Sequence, residues 1–210
     1  DYFGSYVTNP MMGYWLEAQN TALAAQINTD LAAGRSVRLD GRLGDDNPAL
    51  RFLVPGLGGV ALVQERSPGS AASARSTLVV DPNHPMDGLR ASIPVAQTRV
   101  VEGPLAENDL DTVPRRAYVA FISEPAPAAA SVPRAVFANG AQLLSAGLSV
   151  SPAPAAGIVV TLTWRAGAPI ASDEVVFVHW FRAGGLVAQA DGSPGLGYLP
   201  MPMWRPGETI

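Results

Sequence analysis

Residues Glu124 to Pro133 (EPAPAAASVP) read as a linker and are not expected to form a helix or a central strand. Proline fixes φ and removes a backbone donor, and alanine offers little surface to bury. A chain carrying this stretch must build its cores on either side of it. We therefore expect a domain over residues 1–123, a Pro/Ala linker over 124–134 and a second domain over 135–210. A length of 210 residues is enough for two small cores.

Ahead of the linker, Met12, Leu16, Leu23, Ile27 and Leu31 fall near helical spacing and Gly34 is placed as a stop, which predicts a helix from about Met11 to Ala33. A short strand follows at Val37 to Asp40, and Asn47-Pro48 opens a turn or helix into Ala49 to Val54. Val60 to Gln64, Thr77 to Val80 and Tyr118 to Ile122 are compact apolar runs of the kind covered on both faces, with Val95 to Val101 a further strand. This pattern predicts a small α/β domain of Rossmann-like, three-layer type.

Beyond the linker the punctuation changes. Ala141 to Val150, Gly157 to Trp164, Val175 to Phe181 and Leu186 to Ala190 are short strands separated by Pro, Gly and Asp, the signature of an antiparallel β-sandwich of jelly-roll or Ig-like type. Ile158, Val160, Leu162 and Trp164 share one face of a half-buried strand. Val175 to Phe181 is apolar on both faces and is expected at the centre of a sheet, with His179 enclosed in it. Arg182-Ala-Gly-Gly-Leu186 joins it to the next strand as a tight hairpin. The whole is an α+β, two-domain chain whose sandwich stops where a new strand should begin, so we expect a piece of a longer or processed protein.

Composition excludes several classes of function. The formal net charge is −4 and all 14 basic residues are Arg, scattered between Arg35 and Arg205, so no basic stripe exists to neutralise phosphates and no nucleic acid is expected as a partner. There is no Cys, which removes disulfides, thiolate metal sites and Cys catalysis while leaving the compartment open. No apolar run approaches the eighteen or so residues of a membrane span, so the piece itself is expected to be soluble.

The chemically suggestive residues fall in three places. Pro55-Gly-Leu-Gly-Gly-Val-Ala61 matches a dinucleotide fingerprint through Gly56, Gly58 and Ala61, but Ser67-Pro68-Gly69 interrupts the helix such a loop needs, and no cofactor is expected. Asp81, His84 and Asp87 gather just after a strand, where a divalent cation could bind; the competing reading is a turn whose Asp and Asn cap backbone amides. His179, Asp191, Tyr198 and Trp204 crowd one end of the sandwich, and rings beside carboxylates are what sugar-binding surfaces use, although Trp164, Trp180 and Trp204 could instead pack together as core. Nowhere do a nucleophile, a general acid and a general base converge, so no catalytic residue is assigned.

The series Thr161-Leu-Thr-Trp164, Val176-Phe-Val-His179, Leu186-Val-Ala-Gln189, Asp191-Gly-Ser-Pro194 and Trp204-Arg-Pro-Gly-Glu208 resembles the C-terminal β-sandwich of some bacterial multi-pass membrane glycosyltransferases, relatives of the dolichyl-phosphate-mannose protein mannosyltransferases. Asp1-Tyr-Phe-Gly-Ser-Tyr6, the long helix, and Asn47-Pro48-Ala-Leu-Arg-Phe-Leu53 are similar to the soluble segment after the last membrane span in that group. The resemblance implies a non-catalytic, extracytoplasmic accessory region of a membrane-anchored parent, which engages a glycan or a glycosylation acceptor. The family's catalytic acid lies in loops between membrane helices, so none of its residues carries over. The alternatives are a secreted carbohydrate-binding or adhesion sandwich, and an α/β enzyme using nucleotide or metal.

Overall fold

The structure is a computed structural model that describes residues 18–64, 73–106, 113–126, 132–151 and 157–210. It is mixed α/β, rich in strands, with several small sheets. The chain divides into two compact units, Asp1–Pro94 with Val100–Glu124, and Val95–Arg99 with Pro125–Ile210.

In the first unit, α1 (Ala18–Ala32) is rich in Ala, Leu and Gln, all good helix formers. It ends where expected: Gly34, at φ 70, lets its own N–H reach Leu31 O at 2.9 Å and the Arg35 N–H reach Asp30 O at 3.0 Å, a Schellman closure. The Met11 end of the expected helix lies outside the described residues. After β1 (Ser36–Asp40) comes the short turn α2 (Gly41–Gly44), and then α3 (Pro48–Leu53), which starts as its sequence dictates. Asn47 caps α3 by accepting the Leu50 N–H at 3.2 Å, and Pro48 occupies the first turn.

The main sheet has the order β2-β1-β3-β7-β4, where β2 is Ala61–Val63, β3 Ser76–Val80, β4 Gln97–Glu102 and β7 Val119–Glu124. β1 lies parallel to β2 and β3, while β3 and β7 are antiparallel, so the sheet is mixed. The register aligns Leu39 with Val79 and Val79 with Ala120, which puts Val37, Leu39, Val79, Ala120 and Ile122 on one face. That face and Leu23, Ala24 and Ile27 of α1, with Leu50 and Val54, form one buried core. Between β4 and β7 lie the short pair β5 (Leu105–Ala106) and β6 (Arg115–Arg116), and α4 (Asp87–Arg90) is a single turn.

In the second unit, β8 (Ala135–Val136), β9 (Ala141–Ser151) and β10 (Gly157–Ala166) form an antiparallel sheet in the order β10-β9-β8. β11 (Val176–Arg182) and β12 (Gly185–Gly192) form a separate two-stranded ribbon. Its turn has positive φ at both central residues, Ala183 at 49° and Gly184 at 84°, the type I′ geometry that suits the twist of a hairpin. The core of this unit gathers Ala141, Trp164, Ala166, Ile170, Leu199, Met201 and Trp204, and Phe137 leans on Trp164 with ring centroids 5.6 Å apart.

The Trp204-Arg-Pro-Gly-Glu208 motif is a tight turn. Glu208 N–H donates to Arg205 O at 2.9 Å, with Pro206 and a positive-φ Gly207 at its centre, the type II arrangement. The Glu208 carboxylate is fully buried and accepts the Arg205 N–H at 3.1 Å. The turn delivers Gly207–Ile210 alongside β10: Trp164 and Ile210 exchange two backbone bonds at 2.8 and 2.9 Å, and Thr209 bonds Ala96 and Thr98 on its other side.

One expectation fails in this unit. Val176–Arg182 is not the centre of a sheet: it pairs with β12 alone among the described strands, and Phe177 and Phe181 stand largely in solvent. An apolar run on both faces is compatible with a central strand, but only a covering layer makes it buried, and here that layer is open.

Candidate functional site

Strand alternation puts Phe177, His179 and Phe181 on one face of β11, since side chains two apart share a side. The imidazole sits between the two phenyl rings, edge to face, with centroids 6.3 Å from Phe177 and 6.1 Å from Phe181. Across the ribbon, Asp191 is opposite Phe177 and Gln189 opposite His179. His179 Nε2 is 3.9 Å from Asp191 Oδ1, too far for a hydrogen bond. The rings are 66% and 61% exposed, and His179 and Asp191 are accessible too.

This face offers two apolar surfaces, a ring that can donate or accept, a carboxylate and an amide, all reachable from water. Such a set can stack against the C–H face of a ring-shaped polar ligand while accepting and donating to its hydroxyls. Among the described residues no hydroxyl is hydrogen-bonded to His179, and its ion-pair neighbour is Asp191.

Of the four residues expected at this end of the sandwich, the ribbon brings together His179 and Asp191. Trp204 is withdrawn from ligand binding: it is 3% exposed and its Nε1–H donates to Leu199 O at 2.8 Å, so it is core. Tyr198 is half-buried just after the 3-10 turn Pro194–Gly197. Trp180 is 40% exposed and does not join Trp164 and Trp204 in the interior. Phe177, Phe181 and Gln189 adjoin His179 on this face, and sequence reasoning did not single them out. The signal was present in their two-residue spacing around His179, but it reads equally as a buried strand.

The second cluster lies at the end of β3. Asp81 Oδ1 accepts from both the backbone N–H and the Nδ2 of Asn83, each at 2.9 Å, and Oδ2 is 2.8 Å from His84 Nδ1. Both oxygens are thus spent on closing the turn, the behaviour of an Asx-turn. Asp40, at the end of β1, is buried, chelated by Arg42 and bonded to the Asp81 N–H at 3.2 Å. The side chain of Asp87 lies outside the described residues, and among those described no three His, Asp or Glu side chains are grouped to hold a metal ion.

The Gly56, Gly58 and Ala61 stretch forms a 3-10 turn, Leu57–Gly59, that leaves α3 and opens β2. A dinucleotide loop requires the reverse order, strand then helix, so that a helix dipole faces the pyrophosphate. No helix of the described residues is long and apolar enough to cross a membrane. No protein-family model, no curated protein and no solved structure matches the chain.

Proposed function

We propose that this chain is a non-catalytic recognition region, the extracytoplasmic C-terminal part of a bacterial multi-pass membrane glycosyltransferase, and that it engages a glycan or glycosylation acceptor on the β11–β12 ribbon. In this reading the first unit is a Rossmann-like three-layer support and the second an Ig-like or jelly-roll sandwich. The observation that carries it is the exposed row Phe177, His179 and Phe181 beside Asp191. Contiguous exposed apolar surface marks interaction sites, so a row of aromatic rings with polar groups interleaved favours a ligand that covers it. A secreted carbohydrate-binding protein would use the same ribbon; a membrane-spanning region encoded upstream of Asp1 favours the glycosyltransferase, and a signal peptide alone the secreted form. The nucleotide- or metal-enzyme reading draws no support from the turn at Gly56 or from Asp81 and His84.

The test is calorimetric titration with mannose-type and acidic oligosaccharides. We expect dissociation constants of order 1 mM, and a loss of about tenfold in Phe177→Ala, roughly the 1.4 kcal/mol one stacking ring supplies. No heat up to about 10 mM ligand, or binding indifferent to Phe177→Ala and His179→Ala alike, refutes the ribbon as the site.

A further inference from the structure

The face of the β11–β12 ribbon is ordered along its length. Register sets Asp191 opposite Phe177, Gln189 opposite His179, and Leu186 opposite Phe181 beside the turn. Residues directly opposite each other share a side of the ribbon, so these six side chains form three rungs. The rung at the open end joins a phenyl ring to a carboxylate, and the middle rung joins an imidazole to an amide. The rung at the turn joins a phenyl ring to an apolar chain. Polarity therefore falls from one end of the face to the other.

Spacing limits the size of what can lie there. Phe177 and Phe181 are four residues apart on an extended strand, about 13 Å, with the imidazole between them at 6.3 and 6.1 Å. One sugar ring stacks on one phenyl ring and cannot reach the other. Covering both takes linked rings that follow the strand, with a middle ring over His179. Charge limits the chemistry. Arg182 alternates to the opposite face of β11 and Gly185–Gly192 has no basic residue, so Asp191 is the one fixed charge on this face among the described residues. A carboxylate accepts from hydroxyls and repels another carboxylate. Phe181 and Leu186 carry no polar side-chain atom, so a sugar at the turn end is held by its C–H face alone.

We propose, resting on the glycan reading above, that the ligand of this face is a linear, neutral oligosaccharide of trisaccharide length or longer. It lies along β11, with the hydroxyls of one terminal sugar on Asp191 and the C–H face of the sugar at the other end on Phe181. His179 and Gln189 serve the sugar between. Acidic glycans are rejected at the Asp191 end.

The probes are linear manno-oligosaccharides from the monosaccharide to the tetrasaccharide, titrated calorimetrically into the whole chain, with a uronic-acid trisaccharide as the acidic counterpart. Affinity should rise by about tenfold between disaccharide and trisaccharide, the gain from a second stacked ring, and little beyond. Phe181→Ala should remove that step and leave the disaccharide unchanged. The acidic trisaccharide should bind the parent about tenfold more weakly than the neutral one, and Asp191→Asn should close that gap. Affinity independent of length, a step that survives Phe181→Ala, or equal binding of the acidic and neutral trisaccharides by the parent overturns this proposal and leaves the ribbon a glycan site of another kind. No heat from any member of the series overturns both.

Discussion

The two units treat their strands in opposite ways. In the first, every residue of Ser76–Val80 is buried and all but the last of Val119–Glu124. In the second, every residue of Gly185–Gly192 is exposed and so are most of Val176–Arg182. Composition does not separate them, since Val79 and Val187 are the same side chain at 0% and 60% exposure. What differs is the next layer: α1 lays Leu23 and Ile27 on the first sheet, whereas an apolar cleft beside β11 stands open. Full burial of such a side chain stabilises by about 1.5–3 kcal/mol, so the first sheet anchors its unit while the ribbon contributes little.

The comparison breaks if an exposed ring proves as costly to remove as a buried chain. Ile27→Ala, at a fully buried position, should lose about 2–5 kcal/mol in denaturant unfolding. Phe177→Ala deletes more atoms yet should stay within about 0.5 kcal/mol of the parent. Equal losses would mean that the ribbon face is covered in solution. Glycines sharpen the same contrast at smaller amplitude. A Cβ on Gly103 would stand 2.7 Å from the Tyr118 ring, so Gly103→Ala should cost about 1–3 kcal/mol. The nearest atom to a Cβ on Gly147 is Thr161 O at 3.9 Å, and Gly147→Ala should be within about 0.5 kcal/mol of neutral. Unfolding midpoints of the two variants decide it.

What could be read from residues alone follows the same division. Gly34, Asn47-Pro48 and Gly184 act through local φ preference and local hydrogen bonds, so the end of α1, the start of α3 and the β11–β12 turn were legible. Strand positions were legible from apolar runs. Exposure was not: Val176-Phe-Val-His-Trp-Phe181 has the same pattern whether a second layer covers it or not. The candidate site was half legible for that reason. His179 and Asp191 stood out as polar residues near a sheet end, while Phe177 and Phe181 were hidden among core-forming types. Trp204 misled in the other direction, because its indole partner, Leu199 O, sits in a turn with no sequence signal. The pairing of Gly207–Ile210 with β10 is likewise non-local and had no local cue.

Tyr118 gives the buried unit a pH dependence at the alkaline end. Burial, and then the Asp30 carboxylate, raise its phenol above the ordinary value, while its O–H donates weakly to Ala22 O at 3.3 Å. The unfolded chain releases that proton from about pH 10 upward, whereas the folded chain holds it longer. The folded state therefore binds more protons above that pH, and stability falls as the pH rises through the raised pKa, being unaffected below about 10. Tyr118→Phe should flatten this alkaline slope in urea unfolding. An unchanged slope would place the titration elsewhere.

The smallest expected effect bears on the ribbon alone. Ala183 holds φ 49, a left-handed conformation that costs an alanine roughly 1 kcal/mol because its Cβ crowds the following carbonyl. Asn accepts this conformation far better, and Asn-Gly is the preferred pair for a type I′ turn. Ala183→Asn should therefore stabilise by about 0.5–1 kcal/mol. Because the ribbon is exposed and pairs only within itself among the described residues, the gain should appear as slower amide exchange confined to β11 and β12, leaving the first unit untouched. Slowed exchange in α1 or β3 as well would show that the ribbon opens together with the buried sheet, and the contrast between anchored and free strands would then be one of surface exposure without a matching difference in stability.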